Sequence, residues 1–221
     1  MDDMTLFLEP LSNNINRLNA ISHNVANINT PGYAAQQFSD VIEGDRKIAL
    51  KMSGFSMRET GLPLNIAIDG RAFFLVETEQ GSLITKNGQF ERNTHDEVLH
   101  ISGGKLLSDS GPVQLQPGDF SINYKGEIEQ QGSFIAQLSL VEPSKDAELV
   151  PAGDGLYKLT KGQLIQTNAK VIQGAINASN VNASEEMVNL IELSRHTESL
   201  QRAANTYHEM LSKGVSDLGN R

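Results

Sequence analysis

The side chains best suited to acid–base or metal chemistry near neutral pH are the five histidines, His23, His95, His100, His196 and His208. Their spacing serves neither purpose. No HExxH pair occurs, and His95 and His100 flank HDEVLH at a separation that fits neither a helix face nor a strand face. His196 and His208 fall about a third of a turn apart on a helix, so they cannot share a ligand. With no cysteine in the chain, thiolate metal sites, cysteine nucleophiles and disulfide scaffolds are excluded. There is no GxSxG nucleophile elbow and no GxxxxGK[ST] phosphate loop; SGGKL at 102–106 reads as a hairpin turn. A carboxylate pair for glycoside chemistry needs only proximity in space, but the chain has no tryptophan and four tyrosines with which to line a sugar cleft. The expectation is a protein that is not an enzyme, with no cofactor and no metal.

What remains is architecture. The chain has 221 residues, is 38% hydrophobic and carries a formal net charge of −9, which disfavours nonspecific binding to nucleic acid or an anionic membrane. The N-terminus MDDMTLFLEPLSNN has no basic segment and no apolar run of signal-peptide length, so the chain is expected to be cytoplasmic or exported by a route that needs no cleaved signal. Near it, Met4, Leu8, Leu11, Ile15, Leu18 and Val25 step by threes and fours, broken only at Ser22, which predicts a helix with a narrow heptad seam. Pro10 should kink that helix or mark its start, and Pro31-Gly32 should end it. From residue 62 to about 180, short apolar runs such as LNIAI, AFFLVE, SLITK, FIAQLSLV and GLYKLT alternate with NGQ, SGGK, QPGD, KGE and QGS turns. That pattern predicts an all-β barrel or sandwich. From 183 the helix period returns, capped by Asn182 or Ser184, with a seam through Leu190, Leu193, Thr197, Leu200, Ala204, Tyr207, Leu211, Gly214 and Leu218.

The fold expected is therefore a mainly β body flanked by long N- and C-terminal helices that pair as a coiled coil. The expected domains are 1–30 with 183–221 as a discontinuous helical unit, 31–61 as a connector, and 62–182 as the β body. Asparagine crowds the first helix, at Asn13, Asn14, Asn16, Asn19, Asn24, Asn27 and Asn29. Each costs about 0.5 kcal/mol against alanine in a helix interior, roughly 3 kcal/mol together. The segment is then expected to be disordered in the free chain and helical once its seam is buried, with neutral amides bridging neighbouring helices.

The motifs also carry a resemblance. ANINTPGY (26–33), LNIAIDGRAFFLVET (64–78), ITKNGQFERN (84–93), GDGLYKL (153–159) and VIQGAINASNVNASEEMVNLIELSRHTESLQRA (171–203) resemble, in order, the motifs of bacterial flagellar axial proteins, the rod and hook subunits. The resemblance implies a structural subunit of the basal-body rod, a drive shaft crossing the periplasm, exported unfolded by the flagellar type III apparatus. The short body and GDGLYKL are most like the proximal rod; a distal rod or hook subunit is the alternative, and a free-standing β module binding glycan a more distant one. The partners implied are copies of the same chain, related axial proteins and the export apparatus, with no nucleic acid and no small-molecule substrate. The assembly interface would use Leu8, Leu11, Ile15, Leu18, Val25, Leu190, Leu193, Leu200, Ala204, Tyr207 and Leu211. Asn27, Thr30, Pro31 and Gly32 would form the family motif and a hinge at the helix exit.

Overall fold

A computed structural model describes residues 5–39, 47–79 and 81–219, and divides the chain into two compact units. One unit gathers residues 1–26, 36–49 and 182–221; the other gathers 27–35 and 50–181.

The first unit is helical. Helix α1 spans Thr5–Ala26 and continues through Pro10, which lies in its first two turns, where few upstream carbonyls lose a partner. The helix thus begins before Pro10, which does not mark its start. Helix α2 spans Ala183–Gly219. Asn182 is its N-cap, its side-chain oxygen accepting from the amides of Ser184 at 3.2 Å and Glu185 at 3.4 Å. Glu185 and Glu186 lie in the first turn, where the helix dipole favours negative charge. On the exposed face Glu198 and Arg202 form an i,i+4 ion pair at 3.5 Å. The two helices pack on one another, and the strand Gln36–Ser39 packs on α1.

The second unit is the β body. Its main sheet has ten strands. The path across it runs Glu148–Gly153, Leu156–Lys161, Gly81–Thr85, Phe73–Thr78, Lys105–Ser108, Val98–His100 and Phe90–Arg92. A three-stranded sheet follows the order Phe120–Ile122, Glu127–Gln130, Ser133–Gln137. Two further antiparallel pairs tie distant segments, Ile66–Ile68 with Val171–Gln173 and Met57–Glu59 with Ala175–Asn177. The strand Phe73–Thr78 explains why AFFLV is apolar at every position. Successive side chains point to opposite faces, so Phe74 and Val76 enter a core with Ile66, Ile68, Leu106 and Ile128, while Phe73 enters another with Ala34, Ile84, Val141 and Tyr157. Ile66, Ala67 and Ile68 in LNIAI are all buried, because this strand also has protein on both sides.

His100 is buried at the end of the strand Val98–His100. Its Nδ1 accepts from the Ser102 amide at 3.2 Å and lies 2.6 Å from the Ser102 hydroxyl, so the ring proton belongs on Nε2, which has no partner. Phe90 meets the ring edge-on, with centroids 5.9 Å apart. Burial pulls the imidazole from 6.5 down to about 4, against a smaller opposing pull from Asp154. Because the folded value lies below the unfolded one, the stability this neutral ring confers is whole above pH 6.5 and is lost as pH falls toward 4. The loss amounts to about 3 kcal/mol across that window. Urea midpoints measured between pH 7 and pH 4 should fall more steeply for the natural chain than for His100→Phe; parallel curves would show that this ring does not couple protonation to folding.

Candidate assembly site

In the helical unit, the face of α1 turned inward carries Asn14, Ala20, Ile21 and Asn24, all buried. Asn14 donates to Nδ1 of His196 at 3.1 Å and, at 3.4 Å, to the hydroxyl of Thr197. Leu193 is buried one turn earlier on α2, and the Thr197 hydroxyl closes its own geometry by donating to the Leu193 carbonyl at 2.9 Å. Asn24 does more. Its amide donates to the Gln36 carbonyl at 2.9 Å while its oxygen accepts from the Gln36 amide at 2.8 Å. A side-chain amide thereby mimics a backbone partner in a ladder. The same amide nitrogen donates to a Glu186 carboxylate oxygen at 2.7 Å. One side chain thus joins α1, the following strand and the start of α2.

The stripe read from the sequence is a different one. Ile15, Leu18 and Val25 are 51%, 39% and 40% exposed, and Leu11 is half-buried. Within the chain, then, these residues do not form the seam that joins the terminal helices; the asparagine face does, because its amides find polar partners on α2 and at Gln36. On α2 the reading is closer, with Leu193 buried, Leu200, Ala204 and Tyr207 half-buried and Leu190 at the surface. The side chains of Leu8 and Leu211 lie outside the described residues.

In the β unit, motif residues from four parts of the sequence meet. The Asn27–Tyr33 segment is a double turn, closed by Thr30 N–H to Asn27 O at 3.1 Å, Tyr33 N–H to Thr30 O at 3.3 Å, and the Thr30 hydroxyl to the Asn27 side chain at 3.1 Å. Pro31 is half-buried and Gly32 buried. Gly32 donates to Asn177 O at 2.8 Å and has φ +67°; a Cβ there would lie 2.1 Å from the Asn87 backbone nitrogen. Gly88 is equally constrained, since a Cβ would lie 1.5 Å from the Ile66 carbonyl oxygen. Ala34 donates to the Tyr157 hydroxyl at 2.6 Å, and Ala35 to the Asn180 side chain at 2.7 Å. Asn180 in turn donates to Lys51 O and Ser53 O at 2.7 and 2.8 Å. Asn177 repeats the ladder mimicry, accepting from Ile68 N–H and donating to Ile68 O, each at 2.9 Å. TPGY, KNG, GLY and NASN are therefore one knot, and the turn expected to act as a hinge is locked inside it.

Lys86 sits beside the knot with its ammonium buried. It donates to Gly70 O at 2.6 Å and Ala72 O at 2.7 Å, and lies 5.5 and 5.3 Å from the ring centres of Phe55 and Phe73. Burial lowers its pKa to about 8, against Asp69 and Glu142. The carbonyls and rings leave it no room to act on a substrate, and it serves to pin the 69–72 turn. Among the described residues no group of three His, Cys, Asp or Glu side chains is placed to hold a metal. Sequence reasoning missed the bridging roles of Asn177 and Asn180.

Comparison with known proteins finds similarity at both ends of the chain and along its length. Residues 9–33 match the family described as flagella basal body rod protein, and residues 172–218 match the flagellar basal body rod FlgEFG protein C-terminal family. The chain is 28% identical to the flagellar basal-body rod protein FlgF of Mesorhizobium japonicum, covering 93% of this chain and 92% of that protein. It is 27% identical to FlgF of Caulobacter vibrioides over 91% of each, and 23% identical to FlgG of Bacillus subtilis over 90% of this chain and 92% of that one. The two matched segments lie near the ends of the chain and cover most of both terminal helices, and the full-length similarities span the β body between them: along its length the chain is similar to the flagellar basal-body rod FlgEFG family.

Proposed function

We propose that this chain is a structural subunit of the basal-body rod that assembles helically, through the outer face of its terminal helices, into the torque-transmitting shaft. Similarity to the rod family supports a place in the basal-body rod, assembly with rod subunits, and a structural, non-enzymatic role. One observation carries the rest. Helix α1 has two usable faces, an amide face spent within the chain and an apolar stripe of Ile15, Leu18 and Val25 left at the surface. An apolar side chain gains about 1.5–3 kcal/mol on burial, so this stripe rewards contact with neighbouring subunits. Such contacts join different patches on successive copies and therefore propagate rather than close. A position in the proximal rod is favoured by the resemblance of the short body and by the FlgF similarities, with a distal rod or hook subunit as the second reading.

The helical unit is built from residues at opposite ends of the chain, with Asn14 and His196 separated by 182 positions. It can close only when the whole chain has emerged, which supports export in an unfolded form by the flagellar type III route. It also supports terminal helices that order fully only in the assembly, given the roughly 2.5 kcal/mol of helix propensity that the asparagines within Thr5–Ala26 forgo before their side chains find partners.

The test is the double change Ile15→Ser with Leu18→Ser. Both side chains are exposed, so urea unfolding of the free chain should move by less than about 1 kcal/mol. Incorporation into isolated basal bodies should fall at least tenfold and cells should be non-motile. Wild-type motility with this variant would remove the stripe from the interface.

A further inference from the structure

The β body displays an apolar knob at one edge and an apolar groove at another. The knob is on the strand Ser133–Gln137, the last of its three-stranded sheet. A register shift opposite Ile128 and Glu129 inserts an extra residue into this strand. That bulge breaks the alternation that would hide one of two neighbouring side chains. Phe134 and Ile135, adjacent in sequence, are consequently 59% and 40% exposed. A strand edge bearing two large apolar side chains is the kind of surface that natural sheets cover or interrupt with charge.

The groove encloses about 630 Å³ and is lined by Leu62, Leu64, Phe90, Ile101, Leu115 and Phe120 among others. Leu62 and Ile101 are 59% and 49% exposed. One wall is Phe90–Arg92, the terminal strand of the ten-stranded sheet. Another is Phe120, on the first strand of the same three-stranded sheet whose last strand carries the knob. Knob and groove therefore lie at opposite edges of that sheet, about two strand spacings or 10 Å apart. The groove's lining carries one acidic and one basic side chain, Glu91 and Arg92, and the basic one can meet an acidic neighbour of the knob. Glu129 stands directly opposite Phe134 across the hairpin and is exposed. Arg92, at the groove, is exposed and donates from one guanidinium nitrogen to Gln116 O at 2.9 Å. A guanidinium has five N–H donors, so it retains donors for a carboxylate.

We propose that the β bodies of successive copies of this chain dock head to tail, Phe134 and Ile135 of one copy entering the groove of the next beside Phe90–Arg92, with Glu129 of the first paired to Arg92 of the second. The proposal rests on the assembly reading above and assigns it a second contact, outside the helices. Two side chains in one groove bury far less than the roughly 1,000 Å² a stable interface needs. The contact is accordingly silent between free chains and closes when neighbouring helices hold two β bodies side by side at high effective concentration. A different patch on each partner gives the repeating, non-closing geometry of a rod.

The chain has no cysteine, so an engineered pair is unambiguous. Phe134→Cys and Ile101→Cys are introduced together and singly, basal bodies are isolated, oxidised mildly and run without reductant. The double variant should give bands at multiples of 24.1 kDa, while each single variant stays monomeric. A double variant that is present in basal bodies yet stays monomeric overturns the contact, as do single variants that cross-link equally well. Absence of even the unmodified chain from basal bodies would instead overturn the assembly reading itself. A second arm needs no cysteine. Glu129→Arg and Arg92→Glu should each lower the amount of chain in basal bodies at least threefold, and the two together should restore at least half. No recovery in the exchanged pair overturns the proposal.

Discussion

Gly32→Ala is expected to destabilise the β unit by more than about 4 kcal/mol, the range reserved for steric collisions that the surroundings cannot absorb. Two causes add. The residue has φ +67°, where a side chain costs roughly 1–2 kcal/mol. In addition, the new Cβ would lie 2.1 Å from Asn87 N and 2.3 Å from Lys86 C, which are backbone atoms in the middle of the knot. They cannot rotate away as a side-chain end could. Gly54 supplies the control. Its φ is +83°, yet the nearest atom to a Cβ there is the flexible end of Lys51 at 3.9 Å. Gly54→Ala should therefore cost only the backbone part, about 1 kcal/mol. Urea unfolding of both variants followed by far-ultraviolet circular dichroism separates the two contributions. If Gly32→Ala came within 1 kcal/mol of Gly54→Ala, close approach at Asn87 would not be what this glycine is for. Valine at the same position adds bulk to the same collision, so loss of rod assembly in Gly32→Val would follow from a misfolded body and not from a freer hinge.

Asn24→Leu should cost the helical unit about 3–5 kcal/mol, although leucine is the better helix former. The substitution strands the Gln36 amide and carbonyl and removes the donor that meets the Glu186 carboxylate. Leaving buried partners unpaired costs more than the pair itself is worth. Asn19 is on the same helix, exposed, and Asn19→Ala should stabilise by about 0.5 kcal/mol. The prediction is thus a difference in sign between two asparagines five residues apart. Loss of helical ellipticity with urea, measured on both variants, reads it directly. Asn24→Asp extends the test: it keeps the acceptor for Gln36 but sets a carboxylate against Glu186, so its deficit should shrink on acidification. Stabilisation by both Asn24→Leu and Asn19→Ala would mean that the amide bridge contributes nothing.

Much of the β body was legible because its signals are local. Alternation and turn residues marked Phe73–Thr78, Gly81–Thr85 and Leu156–Lys161, and the glycine of QGS at 131–133 marks a turn that the structure contains, whereas NGQ at 87–89 is no turn and its Gln89 joins a bridge to Asn65. Short strands such as Phe90–Arg92 and Leu164–Gln166 were not visible, since three residues carry no periodicity and their pairing is set by partners far along the chain. The knot was half legible. TPGY and KNG stood out as motifs, but nothing in either says that Gly32 lies against Asn87 or that Asn177 serves Ile68.

The amino-acid sequence by itself determined that this chain is two terminal helices around a strand-rich body, that it carries the motifs of flagellar axial proteins, and that it lacks the common motifs of enzymatic chemistry. Only the tertiary structure decided which face of the first helix turns inward. Helical spacing states how far apart apolar residues stand, not which way they point, and α1 offers two candidate faces. The choice falls to hydrogen bonds between groups 162 and 182 residues apart, Asn24 with Glu186 and Asn14 with His196, whose partners exist only once the ends of the chain have met.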